Sequence, residues 1–136
     1  MTRDMARIAS ERGLRFQLPT PFPMVSLRAS RLAVALDGIS EQPEFVRAVY
    51  LASFAEGRDI TKTEELITLL SSLGLYARPL MAKAEDASIK DKLRTNTEAA
   101  MAAGIFGAPS FVTPDGELFW GDDRLEQAVG WLKHKI

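Results

Sequence analysis

The feature that most restricts what this chain can fold into is the glycine-rich stretch over residues 104–125, GIFGAPSFVTPDGELFWGDDRL. Residues 110–113 and 117–120 read as two short strands, separated by Pro114-Asp115-Gly116. That tripeptide meets the demands of a tight turn: fixed φ at proline, a side-chain hydrogen bond at aspartate and positive φ at glycine. Gly121-Asp122-Asp123 then opens a last helix carrying Leu125, Val129 and Leu132. A hairpin followed by a helix therefore closes the chain.

Upstream, the pattern is helical and repeatedly stopped by glycine. Thr2 caps a short helix with Met5, Ile8 and Ala9 on its apolar face, ended at Gly13. Leu14, Phe16 and Leu18 alternate with polar residues, the period of an extended segment. Pro19, Pro21 and Pro23 make a stiff connection. Ser26 caps a helix over residues 27–36, whose apolar set (Leu27, Leu32, Val34, Ala35, Leu36) runs nearly all round and predicts a central position. Pro43 suits the first turn of the next helix, which carries Phe45, Val49, Leu51 and Ala52 and stops at Gly57. Thr61 and Glu64 have the spacing of a capping box ahead of Leu66, Ile67, Leu69 and Leu70. A short helix follows Pro79, and a longer one over residues 88–103 places Ile89, Leu93 and Ala100 on one face.

Composition narrows the chemistry. Lysine and arginine (17) nearly balance aspartate and glutamate (18), which argues against a nucleic-acid partner. No apolar run approaches the roughly 20 residues of a membrane helix. No secretory leader pattern is present, and a cytoplasmic location is expected. The chain has no cysteine, so a dithiol oxidoreductase and a thiolate metal site are excluded. Its one histidine, His134, reads as a surface residue in the last helical turn, so neither a histidine-ligated metal nor a Ser-His-Asp triad is expected.

The G-A-P at residues 107–109 followed by the hairpin and the sequence FWGDDRL looks like the end of a thioredoxin-fold protein. More specifically, RDMARIASERGLRFQLPTPFP, SLRASRLAVAL and LRTNTEAAMAAGIFGAPSF stand in the order and spacing of the 2-hydroxychromene-2-carboxylate isomerase and kappa-class glutathione transferase family, and the chain resembles it along essentially its whole length. The resemblance implies an α/β, thioredoxin-like fold of the DsbA/kappa type with an inserted all-helical domain. Residues 1–103 would be that mainly helical insertion, and residues 104–136 the C-terminal part of the thioredoxin-like domain.

The resemblance further implies glutathione as cofactor. A cis bond at Ala108-Pro109 would turn the backbone groups of Ala108 toward an extended peptide, which pairs with them as an added strand would. Asp122 or Asp123 would pair with the γ-glutamyl ammonium, and the helix N-terminus would receive its carboxylate; helix capping is the competing role of either aspartate. Phe106 and Trp120 are candidate substrate-pocket aromatics, with core packing as the alternative. Asn96, on the helix leading into the loop, is a further pocket candidate, with an exposed polar residue as the alternative. In the family, a thiolate of glutathione adds to the conjugated double bond of an aromatic pyruvate, the bond rotates, and glutathione leaves. The net reaction interconverts 2-hydroxychromene-2-carboxylate and trans-o-hydroxybenzylidenepyruvate in aromatic degradation. The expected partners are a small aromatic substrate and a second copy in a homodimer.

Two departures bear on activity. Val25 stands where the family often has asparagine, removing a polar group on the substrate side. The family's opening strand–helix–strand, with its catalytic serine, has no match here; Ser10 and Ser26 do not fit that motif, and no catalytic residue is assigned. A fragment or late start codon, a natural truncation without activity, and strands supplied by a second chain all accommodate this. The alternatives to an isomerase are a kappa-type transferase that joins glutathione to electrophiles and a non-catalytic DsbA-like peptide-binding module.

Overall fold

The computed structural model describes residues 1–134. Its elements run α1 (Thr2–Glu11), α2 (Leu27–Ala35), α3 (Gln42–Phe54), α4 (Thr63–Ser72), α5 (Ala77–Lys83), α6 (Ala87–Ala102), β1 (Ser110–Val112), β2 (Leu118–Trp120), a 3-10 turn (Asp122–Arg124) and α7 (Leu125–His134). The chain divides into two units, Met1–Leu93 and the remainder from Arg94 onward.

The first unit is held by apolar burial. Leu32, Leu36, Phe45, Leu66 and Leu70 are fully buried, and Ala29, Ala52, Ile60, Leu69, Ala77 and Ala84 complete one cluster among α2, α3, α4 and α5. The heptad-like spacings behind this are visible along the chain: Phe45 and Ala52 lie seven residues apart on α3, and Leu66, Leu69 and Leu70 share one face of α4. On α2 the structure departs from the all-round expectation. Ala29, Leu32 and Ala35 form a single buried stripe, while Leu27, in the first turn, is exposed.

Two local expectations fail for identifiable reasons. The Thr61–Glu64 capping box does not form: α4 begins at Thr63 after Lys62, with no side-chain cap, because the Thr61 hydroxyl donates to the Asp59 carboxylate at 2.5 Å instead. The alternating segment at residues 14–18 joins no sheet. It is pinned to the end of α3 by one backbone bond, from the Gln17 N–H to the Phe54 carbonyl at 2.7 Å, and by the Gln17 side chain lying over Gly57. Gly57 has φ of +64°, so a side chain there would be strained as well as blocked. Phe54 is also the hub of an aromatic group, stacked on Phe16 and Tyr50 and met edge-on by Phe22.

Charged groups arrange themselves around this core. Arg58 links Glu65 and Glu56 at 2.6 and 3.2 Å, and Lys83 donates to the Ala35 carbonyl at 2.9 Å. The second unit contains a two-stranded antiparallel sheet in the register Ser110↔Trp120, Phe111↔Phe119, Val112↔Leu118, with α7 behind it.

Two outcomes are expected. Leu66→Ala should lose about 2–5 kcal/mol of stability in a urea melt, the usual cost of emptying a fully buried leucine site. Three exposed carboxyls should also make the chain acid-sensitive. Asp37 is held below its ordinary value of 3.8 by the bond from Lys92, Asp59 below 3.8 by the Thr61 hydroxyl, and Glu85 below 4.5 by Lys90. A lowered folded-state pKa adds stability that is present above the unfolded value and is lost as pH falls through the folded one. The melting temperature should therefore drop as pH falls below about 4, with a weaker drop in high salt. A profile that stays flat between about pH 5 and 2.5 would contradict this.

Candidate glutathione-binding loop and acidic turn

The sequence of residues 104–125 builds its site around the hairpin. Thr113-Pro114-Asp115-Gly116 forms the turn: the Gly116 N–H donates to the Thr113 carbonyl at 2.8 Å, the Thr113 N–H to the Glu117 carbonyl at 3.0 Å, and Gly116 has φ of +86°. Each residue thus performs the role its chemistry predicts. Asp115 does more than close the turn. Its carboxylate accepts from the nearly buried Thr113 hydroxyl at 2.5 Å and from the Trp131 indole N–H at 3.0 Å, tying the turn to α7. Phe119 meets Trp131 edge-on at 6.2 Å, so the two elements are joined by both a polar and an apolar contact.

The other end of the hairpin carries the candidate site. The Ala108-Pro109 bond is cis, as expected from the resemblance. The loop is held by the Ser110 hydroxyl, which donates to the Gly107 carbonyl at 2.6 Å, and by the Gly121 N–H, which donates to the Pro109 carbonyl at 3.0 Å. That second bond extends the β1–β2 ladder by one step and brings the start of the acidic turn beside the proline loop. Asp122 and Asp123 open the 3-10 turn rather than α7 itself, and both are exposed.

Two glycines make this approach possible. A Cβ on Gly107 would stand 2.6 Å from the Trp120 indole nitrogen. A Cβ on Gly121, where φ is +122°, would stand 2.6 Å from an Asp123 carboxylate oxygen, so that carboxylate folds back over Gly121. The Asp123 carboxylate forms no hydrogen bond or ion pair with another described residue. The backbone N–H and carbonyl of exposed Ala108 are likewise unbonded among the described residues.

Phe106 and Trp120 are brought together, with ring centroids 5.1 Å apart and planes tilted by 52°. Both are largely exposed, so neither is a core residue among the described ones. Asn96 is exposed on α6, and no hydrogen bond joins it to the loop. His134 is exposed in the last turn of α7, its ring Nδ1 2.8 Å from the Gly130 carbonyl oxygen. Among the described residues, no group of three or more potential ligands could hold a metal ion, and no helix is long and apolar enough to cross a membrane. Sequence reasoning missed Ser110 and the backbone of Gly121, which set the loop geometry. A hydroxyl directly after the proline was the available signal for the first. The second acts through its N–H, which every non-proline residue has.

The chain belongs to the family of proteins with a DSBA-like thioredoxin domain, whose model it matches over residues 1–133. It is similar to glutathione S-transferase kappa 2 of Caenorhabditis elegans, with 26% identity over 97% of this chain and 64% of that protein. Similarity to human glutathione S-transferase kappa 1 is of the same order, 27% identity over 99% of this chain and 66% of that one. The fold matches a solved structure of 2-hydroxychromene-2-carboxylate isomerase with a TM-score of 0.77, at 23% identity, over 98% of this chain and 66% of the other. The chain thus spans just under two thirds of the length of these proteins, and its fold is the DsbA-like thioredoxin type, mostly helical with a small antiparallel sheet.

Removing the Asp115 carboxylate tests the tie between turn and α7. Asp115→Ala should cost about 1 kcal/mol in a urea melt followed by tryptophan fluorescence. An unchanged midpoint would mean that the Trp131 bond contributes nothing.

Proposed function

We propose that this chain is the glutathione-holding part of a glutathione-dependent enzyme, an isomerase acting on aromatic pyruvates such as 2-hydroxychromene-2-carboxylate. The observation that carries the proposal is the Gly121–Pro109 backbone bond, which joins the proline loop to the start of the acidic turn, together with an Ala108 backbone and an Asp123 carboxylate that bond no other described residue. The named functions of the kappa-class relatives support the glutathione part.

In this reading Ala108 offers its N–H and carbonyl to the cysteinyl part of the tripeptide, as a strand edge would. Asp123, with Asp122 next to it, receives the γ-glutamyl ammonium. The Phe106–Trp120 pair covers the apolar side of the acceptor molecule, and Asn96 is the further pocket candidate. Bound glutathione supplies a thiol, ordinarily of pKa ~8.5, as nucleophile toward a conjugated double bond. The residues of this chain contribute by holding the tripeptide in place, which is catalysis by positioning. The hydroxyl that would lower the thiol pKa is not assigned to any residue here. A homodimer in the cytoplasm completes the proposal; a short hairpin with an apolar edge favours association.

A second reading, a transferase that joins glutathione to electrophiles, is favoured by the kappa-class relatives and uses the same binding residues. A peptide-binding module without chemistry would need the groove and not the thiol.

A thermal-shift titration with glutathione tests the binding half. At 100 times the dissociation constant, glutathione should add ~2.7 kcal/mol of stability. Asp123→Ala should weaken binding by about tenfold, the loss of one charge-assisted bond. No shift with glutathione, or full affinity in Asp123→Ala, would overturn the assignment. An equal shift with a non-thiol tripeptide would favour the peptide-binding reading.

A further inference from the structure

The first unit contains a pocket of about 340 Å³ between α2, α3 and the Phe22-Pro23-Met24 segment. Its wall is apolar, with Ala33, Phe45 and Val49 among the lining residues, and the rings of Phe22, Tyr50 and Phe54 also face it. None of its lining residues carries a formal charge. Its polar residues are Ser26, Ser30, Tyr50 and Ser53, of which only Ser53 is buried. Ser53, on α3, is only 2% exposed and lines the pocket. The hydroxyls of Thr68 and Ser72 bond back to the carbonyls of Glu64 and Leu69, but the Ser53 hydroxyl has no hydrogen bond to any described residue. Among the described residues, the single side-chain polar atom that is sealed from solvent without a partner is the Arg31 Nε. The Ser53 oxygen therefore keeps its small exposed area, and that area opens on the pocket.

We infer that this pocket is a binding site for a neutral one- or two-ring aromatic molecule bearing a hydroxyl, with Ser53 as its hydrogen-bonding anchor. The volume lies at the lower end of small-molecule sites, which span ~300–1,000 Å³. The three rings already pack on one another in stacked and edge-on geometry, the arrangement that receives a further aromatic ring. No charged side chain lines the pocket, so a carboxylate would have no ionic partner there and a neutral ligand is favoured. A phenolic hydroxyl instead can pair with the Ser53 hydroxyl, which bonds no other described residue. Every lining residue belongs to the first unit, so the inference does not rest on the glutathione reading.

Equilibrium dialysis and calorimetry with 2-naphthol, without glutathione, test it. The expected result is saturable binding of one 2-naphthol per chain, with 2-naphthoate bound at least tenfold more weakly. Ser53→Ala should lose about tenfold in 2-naphthol affinity while melting at about the same temperature, since the hydroxyl it deletes bonds no other described residue. Ala33→Phe, which fills the pocket, should abolish binding and keep a cooperative melt. No saturable 2-naphthol binding, equal affinity for 2-naphthoate, or an unchanged affinity in both variants would overturn the inference.

Discussion

The candidate site depends on one backbone hydrogen bond, from the Gly121 N–H to the Pro109 carbonyl. The β1–β2 register pairs Ser110 with Trp120, and this bond carries the pairing one residue further on both sides. It brings together two stretches of chain that the turn would otherwise leave as separate hairpin ends. The proline loop and the start of the acidic turn meet at it, and the Phe106–Trp120 ring pair lies on the same stretch of chain. Both neighbouring glycines lie close to side chains, one to the Trp120 indole and the other to the Asp123 carboxylate, and at Gly121 the φ of +122° itself favours glycine. The close approach that defines the site is thus written as missing side chains.

At the opposite end of the same hairpin, Asp115 gives rigidity. A turn carboxylate that accepts from both Thr113 and Trp131 couples strand geometry to helix position. A two-stranded sheet has little stability of its own. The Trp131 contacts, polar to Asp115 and apolar to Phe119, supply packing that the strands alone cannot. The first unit is stabilised differently, by a continuous apolar cluster with its ionic groups on the surface.

The hairpin, its turn and the helix stops were legible because each rests on local chemistry. Gly13, Gly38, Gly57, Gly74 and Gly104 all adopt positive φ near the ends of helices, where that conformation ends a helix without steric cost. The Pro114-Asp115-Gly116 turn is local in the same sense. The expected side-chain caps at Thr2 and Ser26 do not form, and two further expectations failed where a local signal had a competitor. Thr61 had the spacing to cap α4, but Asp59 lay two residues away and offered a charged acceptor. The alternation at residues 14–18 had the period of a strand, but a strand needs a partner edge, and among the described residues that segment makes only two backbone bonds, from Leu14 back to Ala9 and from Gln17 to Phe54. On α2, composition alone did not reveal that Leu27, in the first turn, lies outside the buried stripe.

The sequence by itself determined the helices, the hairpin and the family resemblance, because propensity, periodicity and turn chemistry act over a few residues. It also marked Pro109, Asp122 and Asp123 through the order of motifs. Only the tertiary structure decided that Asp123 bonds no other described residue, that Phe106 and Trp120 meet, and that Ser53 lines an apolar pocket without a hydrogen-bond partner among the described residues. Those facts depend on which groups approach through space and which bonds remain unmade. Both are settled by packing between segments distant in sequence, and no local pattern encodes them.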